Sequence, residues 1–186
     1  LSLFEDPGSP LFKIARIEQV SVLSRDPAVA LIKRPTYGLI SYDQEAVDTL
    51  LEQTGRHPSL LQELCYLLFE DCVERGVLTI SKVQVTAIIS DFMDERTNYF
   101  DYIIRRMDDS EQELILAAAL LVEKNEEDSY FNLAALMEKS RLNKSVLFRN
   151  VKDFVMSGLL KEIEDKKYMF SIEMFRRWLL KTRLTD

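Results

Sequence analysis

Residues 54–62 read Thr54-Gly55-Arg56-His57-Pro58-Ser59-Leu60-Leu61-Gln62, and this stretch holds the only histidine of the chain. Gly55 can adopt the positive φ that closes a preceding helix. Pro58 suits the first turn of a following helix, where its missing N–H has no partner to lose. The stretch therefore predicts a rigid joint between two helices. It would present Arg56 and His57 at a positively polarised helix N-terminus, an end that suits an anion or the edge of a nucleotide. The plainer reading is a helix–helix turn with an exposed histidine.

The flanking sequence extends the pattern. Upstream stand Ser9-Pro10-Leu11-Phe12, Val20-Ser21-Val22-Leu23-Ser24 and Ala30-Leu31-Ile32-Lys33-Arg34-Pro35; downstream stands Leu60-Leu61-Gln62-Glu63-Leu64-Cys65. In this order the segments resemble the region after the nucleotide core in AAA-like ATPases of the STAND group. There an S-P-L-F segment leads into the last core strand, a helix ends in proline, and T-G-G-H-P-x-x-L-Q opens a lid helix. The resemblance implies that Gly55, Arg56, His57 and Pro58 face ADP or ATP from the lid side. It also implies that the nucleotide is held only together with an N-terminal nucleotide-binding core. In one departure, Arg56 stands where the family usually has a second glycine, and a side chain there opposes close approach of backbone to a ligand.

The chain has 186 residues, 47% of them hydrophobic and 30% charged, with only five Gly and five Pro. That composition predicts a mainly α chain with short connections and a buried core. The formal net charge of −7 argues against non-specific coating of nucleic acid or anionic membrane. No apolar run approaches the length of a membrane span, and no signal peptide is evident, so a cytoplasmic setting is expected. Cys65 and Cys72 are two helical turns apart, about 10 Å along the axis, which is too far for a disulfide. They are expected as buried small hydrophobes, and with one histidine they make no metal site. The chain begins with Leu1 rather than Met, so a longer polypeptide is expected.

Residues 1–23 are expected as an arm followed by one strand, Ile17 to Leu23, of a core-type sheet. Residues 24–107 are expected as a small helical, lid-like bundle. Its helices would run from a Ser24 cap to about Arg34, from an Asp43 cap through Leu51, from Pro58 to near Gly76, and from a Ser81 cap through Phe92. Tyr37 to Ser41 would be a loop and Val77 to Ile80 a short extended piece. A helical stretch, Thr97 to Met107, would connect to a second domain at 109–186. There Ser110 and Glu113 have capping-box spacing. Three helices follow, then strands at 159–164 and 168–171 flanking Asp165-Lys166-Lys167, then a last helix with Phe175 and Trp178. This order resembles the winged helix-turn-helix attached to STAND ATPases, as does the run Met174-Phe175-Arg176-Arg177-Trp178-Leu179.

No catalytic residue can be named. The sequence has no G-x-x-x-x-G-K-[ST] loop, no G-x-S-x-G, and no strand ending in paired acids for Mg²⁺. Acidic pairs such as Asp108-Asp109 and Glu126-Glu127 read as solvated turns. A winged helix would read duplex DNA with its third helix. The candidates are Asn143, Lys144, Ser145, Arg149 and Lys152, with Lys166 and Lys167 in the wing. Residues 109–186 carry 13 basic and 14 acidic side chains, without the basic excess of most DNA-binding domains, so the same face could instead meet a protein partner. The aromatic residues Tyr99, Phe100, Tyr102, Phe175 and Trp178 are expected in core or interdomain packing. Two functions follow. One is the regulatory portion of a STAND/AAA-like ATPase, a lid plus a winged helix acting as switch or docking module. The other is a DNA- or protein-binding winged helix with no nucleotide role.

Overall fold

The computed structural model describes residues 22–95, 97–124 and 129–183. The expected arm, the Ser9-Pro10-Leu11-Phe12 segment, most of the Ile17 to Leu23 strand and the Glu126-Glu127 pair lie outside the described residues. The described chain is mainly α, with nine α-helices and five short strands.

Helix α1 (Arg25–Lys33) ends two residues before Pro35, which disfavours helical backbone in the residue preceding it. Ser24 occupies the cap position in extended backbone but makes no side-chain cap bond. Helix α2 (Gln44–Thr54) is capped as its sequence predicts, with Asp43 accepting from the Ala46 N–H at 2.6 Å. Helix α3 (Pro58–Arg75) buries Leu60, Leu61, Leu64, Leu68 and Cys72 along one stripe. Helix α4 (Lys82–Glu95) opens on a reciprocal box in which Gln84 Oε1 accepts from the Ser81 N–H. Helix α5 (Thr97–Ile104) follows.

Strands β1 (Ser41–Tyr42) and β2 (Thr79–Ile80) pair in parallel, Ser41 opposite Thr79. The expected loop at 37–41 therefore ends in a strand. Tyr42 and Ile80 point into the core while Ser41 and Thr79 face out. Two residues are too few for alternation to register in a sequence.

Helix α6 (Asp109–Lys124) starts on a box formed two residues earlier than the spacing of Ser110 and Glu113 suggests. Asp108 accepts from the Glu111 N–H at 2.9 Å, and Glu111 accepts from the Asp108 N–H at 2.8 Å. Ser110 instead accepts from Asn150 Nδ2, and Glu113 accepts from the Arg141 N–H. A short carboxylate directly before the helix reaches the first-turn donors as well as a serine does, and it leaves Ser110 and Glu113 to tie α6 to the residues around α8.

Strand β3 (Phe131–Asn132), helix α7 (Leu133–Lys139) and helix α8 (Lys144–Met156) come next. Strand β4 (Leu160–Ile163) and strand β5 (Lys167–Phe170) are joined by a 3-10 turn at Glu164–Lys166, and helix α9 (Glu173–Arg183) closes the described chain. The sheet is antiparallel in the order β3-β5-β4, so the expected hairpin gains a third, two-residue strand.

The aromatic cluster joins the two halves. Phe100 of α5 lies 5.4 Å from Phe175 and 5.6 Å from Trp178 of α9, ring centre to ring centre, and all three are fully buried. These distances suit tilted aromatic packing. Around them α9 packs on α2, α4 and α6. Arg177 donates to Gln53 Oε1 at 3.2 Å, and Lys181 pairs with Asp94. Residues 24–107 and 109–186 thus share one hydrophobic cluster.

Candidate functional site

The joint at 54–58 is built from the end of α2. Thr54 is fully buried, its hydroxyl donates to the Leu50 carbonyl at 2.6 Å, and it accepts from the Arg56 N–H at 3.2 Å. Gly55 follows at φ 58° and Arg56 at φ 63°, both left-handed. His57 returns to extended backbone as the N-cap of α3, with Pro58 opening the helix. The Arg56 carbonyl accepts from the Leu23 N–H at 3.1 Å, so the entering segment is clipped to the joint.

The four candidate nucleotide residues separate in space. Gly55 and Arg56 line a cleft of about 200 Å³ between the joint and the second half of the chain. The same cleft is lined by Glu52, Lys161 of β4, Ser171 and Glu173. Arg56 and Lys161 bring positive charge to it. Glu173 is held by Arg176 Nη2 at 2.5 Å. His57 and Pro58 are not among the lining residues. The His57 ring turns toward Ser59, Nδ1 standing 2.9 Å from Oγ, and Ser59 Oγ is 3.2 Å from the Tyr99 hydroxyl. Partial burial lowers the His57 pKa from its ordinary value, because burial penalises the charged ring.

Gly55 makes its close approach to protein. A Cβ there would overlap the carbonyl group of Ser171, between β5 and α9. The sequence expectation of a positive φ at Gly55 holds, but spacing alone gave no sign of Ser171 beyond it.

The candidates on the second half are also partly committed. Asn143 is the N-cap of α8, accepting from the Val146 N–H at 3.0 Å. Arg149 donates from Nε to Asn150 Oδ1 at 3.2 Å. Lys167 donates to the Tyr130 hydroxyl at 3.0 Å and lies over its ring. Lys166 sits in the 3-10 turn at φ 57°. Lys144, Ser145, Arg149 and Lys152 are exposed on α8.

Two residues of that face were not anticipated. Phe148 is 44% and Met156 66% exposed. With Leu147, Asn150, Val151 and Phe154 buried, helical spacing puts Phe148 on the flank of the helix and Met156 on the side opposite. That mismatch with the buried stripe is the signal that could have found them.

Elsewhere, Leu31, Pro35, Cys65, Tyr66 and Phe69 line an apolar groove of about 350 Å³ on α1 and α3. Cys72 is buried and Cys65 half-buried, both as free thiols. Among the described residues no group of three or more His, Cys, Asp or Glu is placed to hold a metal ion, and no helix is long and apolar enough to cross a membrane. Comparisons with protein-family models, with curated proteins and with solved structures give no match.

Proposed function

We propose that this chain is the regulatory portion of a STAND/AAA-like ATPase, a lid followed by a winged helix, which responds to ADP or ATP held by an N-terminal nucleotide-binding core. The observation that carries the proposal is the meeting of Gly55 and Ser171. It sets the joint of the lid-like bundle directly against the turn that leads into α9, with Arg56 and Lys161 on the intervening cleft. A change at the joint is therefore felt by the second half without a long relay. The order α6, β3, α7, α8, β4, β5 supports the winged-helix reading of that half.

In this account the core supplies the phosphate loop and the Mg²⁺ site, and this chain performs no hydrolysis alone. Arg56 meets the nucleotide's negative charge from the lid side, and His57 stands beside it at the start of α3 with its ring on Ser59. Closed and open states would differ in the contacts across the cleft, which is the differential interaction a ligand needs to shift a population. The experiment is to purify the chain together with its core and measure retained ADP. His57→Ala should weaken retention while the fold stays intact. Unchanged retention would leave His57 as an ordinary turn residue.

The second reading is a DNA- or protein-binding module with no nucleotide role. The exposed face of α8 favours it, and its two exposed apolar side chains favour protein over DNA.

A further inference from the structure

We infer that the outer face of α8 is a docking surface for an acidic, amphipathic helical segment of a partner protein. This surface lies on a different helix from the cleft residues and does not depend on the nucleotide reading.

Lys144, Phe148, Lys152 and Met156 follow one another at four-residue intervals on α8. Each step is about 6 Å along the helix and turns it by about 40°, so neighbouring members of the row touch while the row winds slowly about the outer side. The result is a stripe of cation, apolar, cation, apolar. Arg149 and Ser145 flank it, and Asp153 is the one exposed acid on this stretch of the helix. The Asp108 carboxylate also acts on Arg149, and Lys144, Arg149 and Lys152 still outnumber the two acids in a chain whose net charge is −7.

The chemistry of the stripe selects its occupant. A DNA-reading helix presents cations to phosphates and polar forks to base edges. Here the Asn143 side-chain oxygen is engaged in capping α8, and Arg149 Nε is engaged with Asn150. Between the cations stand a half-exposed phenyl ring and a largely exposed thioether. Lys144 Nζ lies 5.8 Å from the centre of the Phe148 ring, so charge and apolar surface form one patch. Such a patch matches a helix that repeats a carboxylate and an apolar side chain at the same spacing. The carboxylates meet Lys144, Arg149 and Lys152, and the apolar residues cover Phe148 and Met156. Exposed aromatic and methionine side chains ringed by charge are the usual composition of such surfaces.

The test uses three fluorescent probes on the intact chain. One is a helical peptide of about four turns with Glu and Leu alternating at four-residue intervals on one face. The second replaces each Glu with Lys. The third is a double-stranded DNA oligomer. Anisotropy should show binding of the Glu/Leu peptide, weaker at high salt, and no comparable binding of the other two. Phe148→Ser should weaken the Glu/Leu peptide by about tenfold or more, and so should the double change Lys144→Glu with Lys152→Glu. Lys82→Glu, an exposed cation on α4, should leave it unchanged, and so should Lys82→Glu combined with Lys139→Glu, an exposed cation on α7, which matches the net-charge change of the double variant. All these side chains are exposed, and circular dichroism checks that the variants remain folded. Equal binding of the Lys/Leu peptide, an affinity unmoved by Phe148→Ser, or tighter binding of the DNA would overturn the inference.

Discussion

Gly55 and Ser171 touch backbone to backbone: the position a Cβ would take on Gly55 is already filled by the Ser171 carbonyl group. The contact joins residues far apart in sequence. It meets two demands at one residue, a left-handed φ to end α2 and an absent side chain to admit the neighbouring chain.

Gly55→Ala should therefore be severe. The left-handed backbone alone costs about 1 kcal/mol for a non-glycine residue, and the overlap with Ser171 forces a backbone shift as well. We expect a loss of about 2–4 kcal/mol in a denaturant titration, within the range of strain and overpacking effects. Gly158 separates the two causes. Its φ is 78° but nothing lies within 4 Å of its Cβ position, so Gly158→Ala should cost only about 1 kcal/mol, and the branched Gly158→Val somewhat more. Equal losses at Gly55→Ala and Gly158→Ala would remove the Ser171 contact from the explanation.

Arg56 holds φ 63° without being glycine. Arg56→Gly relieves that strain but loosens the unfolded chain, and the two effects partly cancel. The melting temperature should hold or rise, with a gain of up to about 1 kcal/mol. A drop of similar size would mean that the Arg56 side chain makes a stabilising contact across the cleft.

Burial lowers the His57 pKa from its ordinary value of 6.5. As pH falls the unfolded chain takes up the proton first, so the stability that neutral His57 contributes is full above about pH 6.5 and is lost toward the lower native value. Urea midpoints of the wild type and His57→Gln should therefore converge on acidification from about pH 7.5 to 5.5. A gap that widens over this range would place a negative partner near the ring.

Cys65 lies on the groove along α1 and α3, and burial pushes its thiol up to about 11. Because the thiolate is the reactive form, alkylation near neutral pH should be slower than in the urea-unfolded chain by about a hundredfold. Mass spectrometry of a timed reaction reads the rate. Prompt labelling of Cys65 in the native chain would contradict a raised thiol pKa.

Much of the helical half was legible because local chemistry decides it. Asp43 caps α2 and Pro58 opens α3, both on signals contained within a few residues. The α6 cap was misplaced by two residues because Asp108 and Ser110 both offer an oxygen, and only the packing of Asn150 shows which one is used elsewhere. Strands β1, β2 and β3 have two residues each and owe their existence to partners remote in sequence. At the candidate site, the left-handed turn at Gly55 was legible, but the second half-chain against it was not. On α8 the charges of Lys144 and Lys152 are legible in the sequence, whereas the exposure of Phe148 and Met156 depends on which side of the helix packing buries.

Calorimetric titration of ATP and ADP tests the central claim most directly. The sequence holds no G-x-x-x-x-G-K-[ST] loop, and among the described residues the joint brings together the α3 N-terminus, Arg56 and Lys161, so the Kd of the chain alone should be no tighter than roughly millimolar, about −4 kcal/mol. Joined to the nucleotide-binding core that we propose, the same residues should take part in micromolar binding. Micromolar binding by the chain alone, or none by the joined protein, would contradict the account.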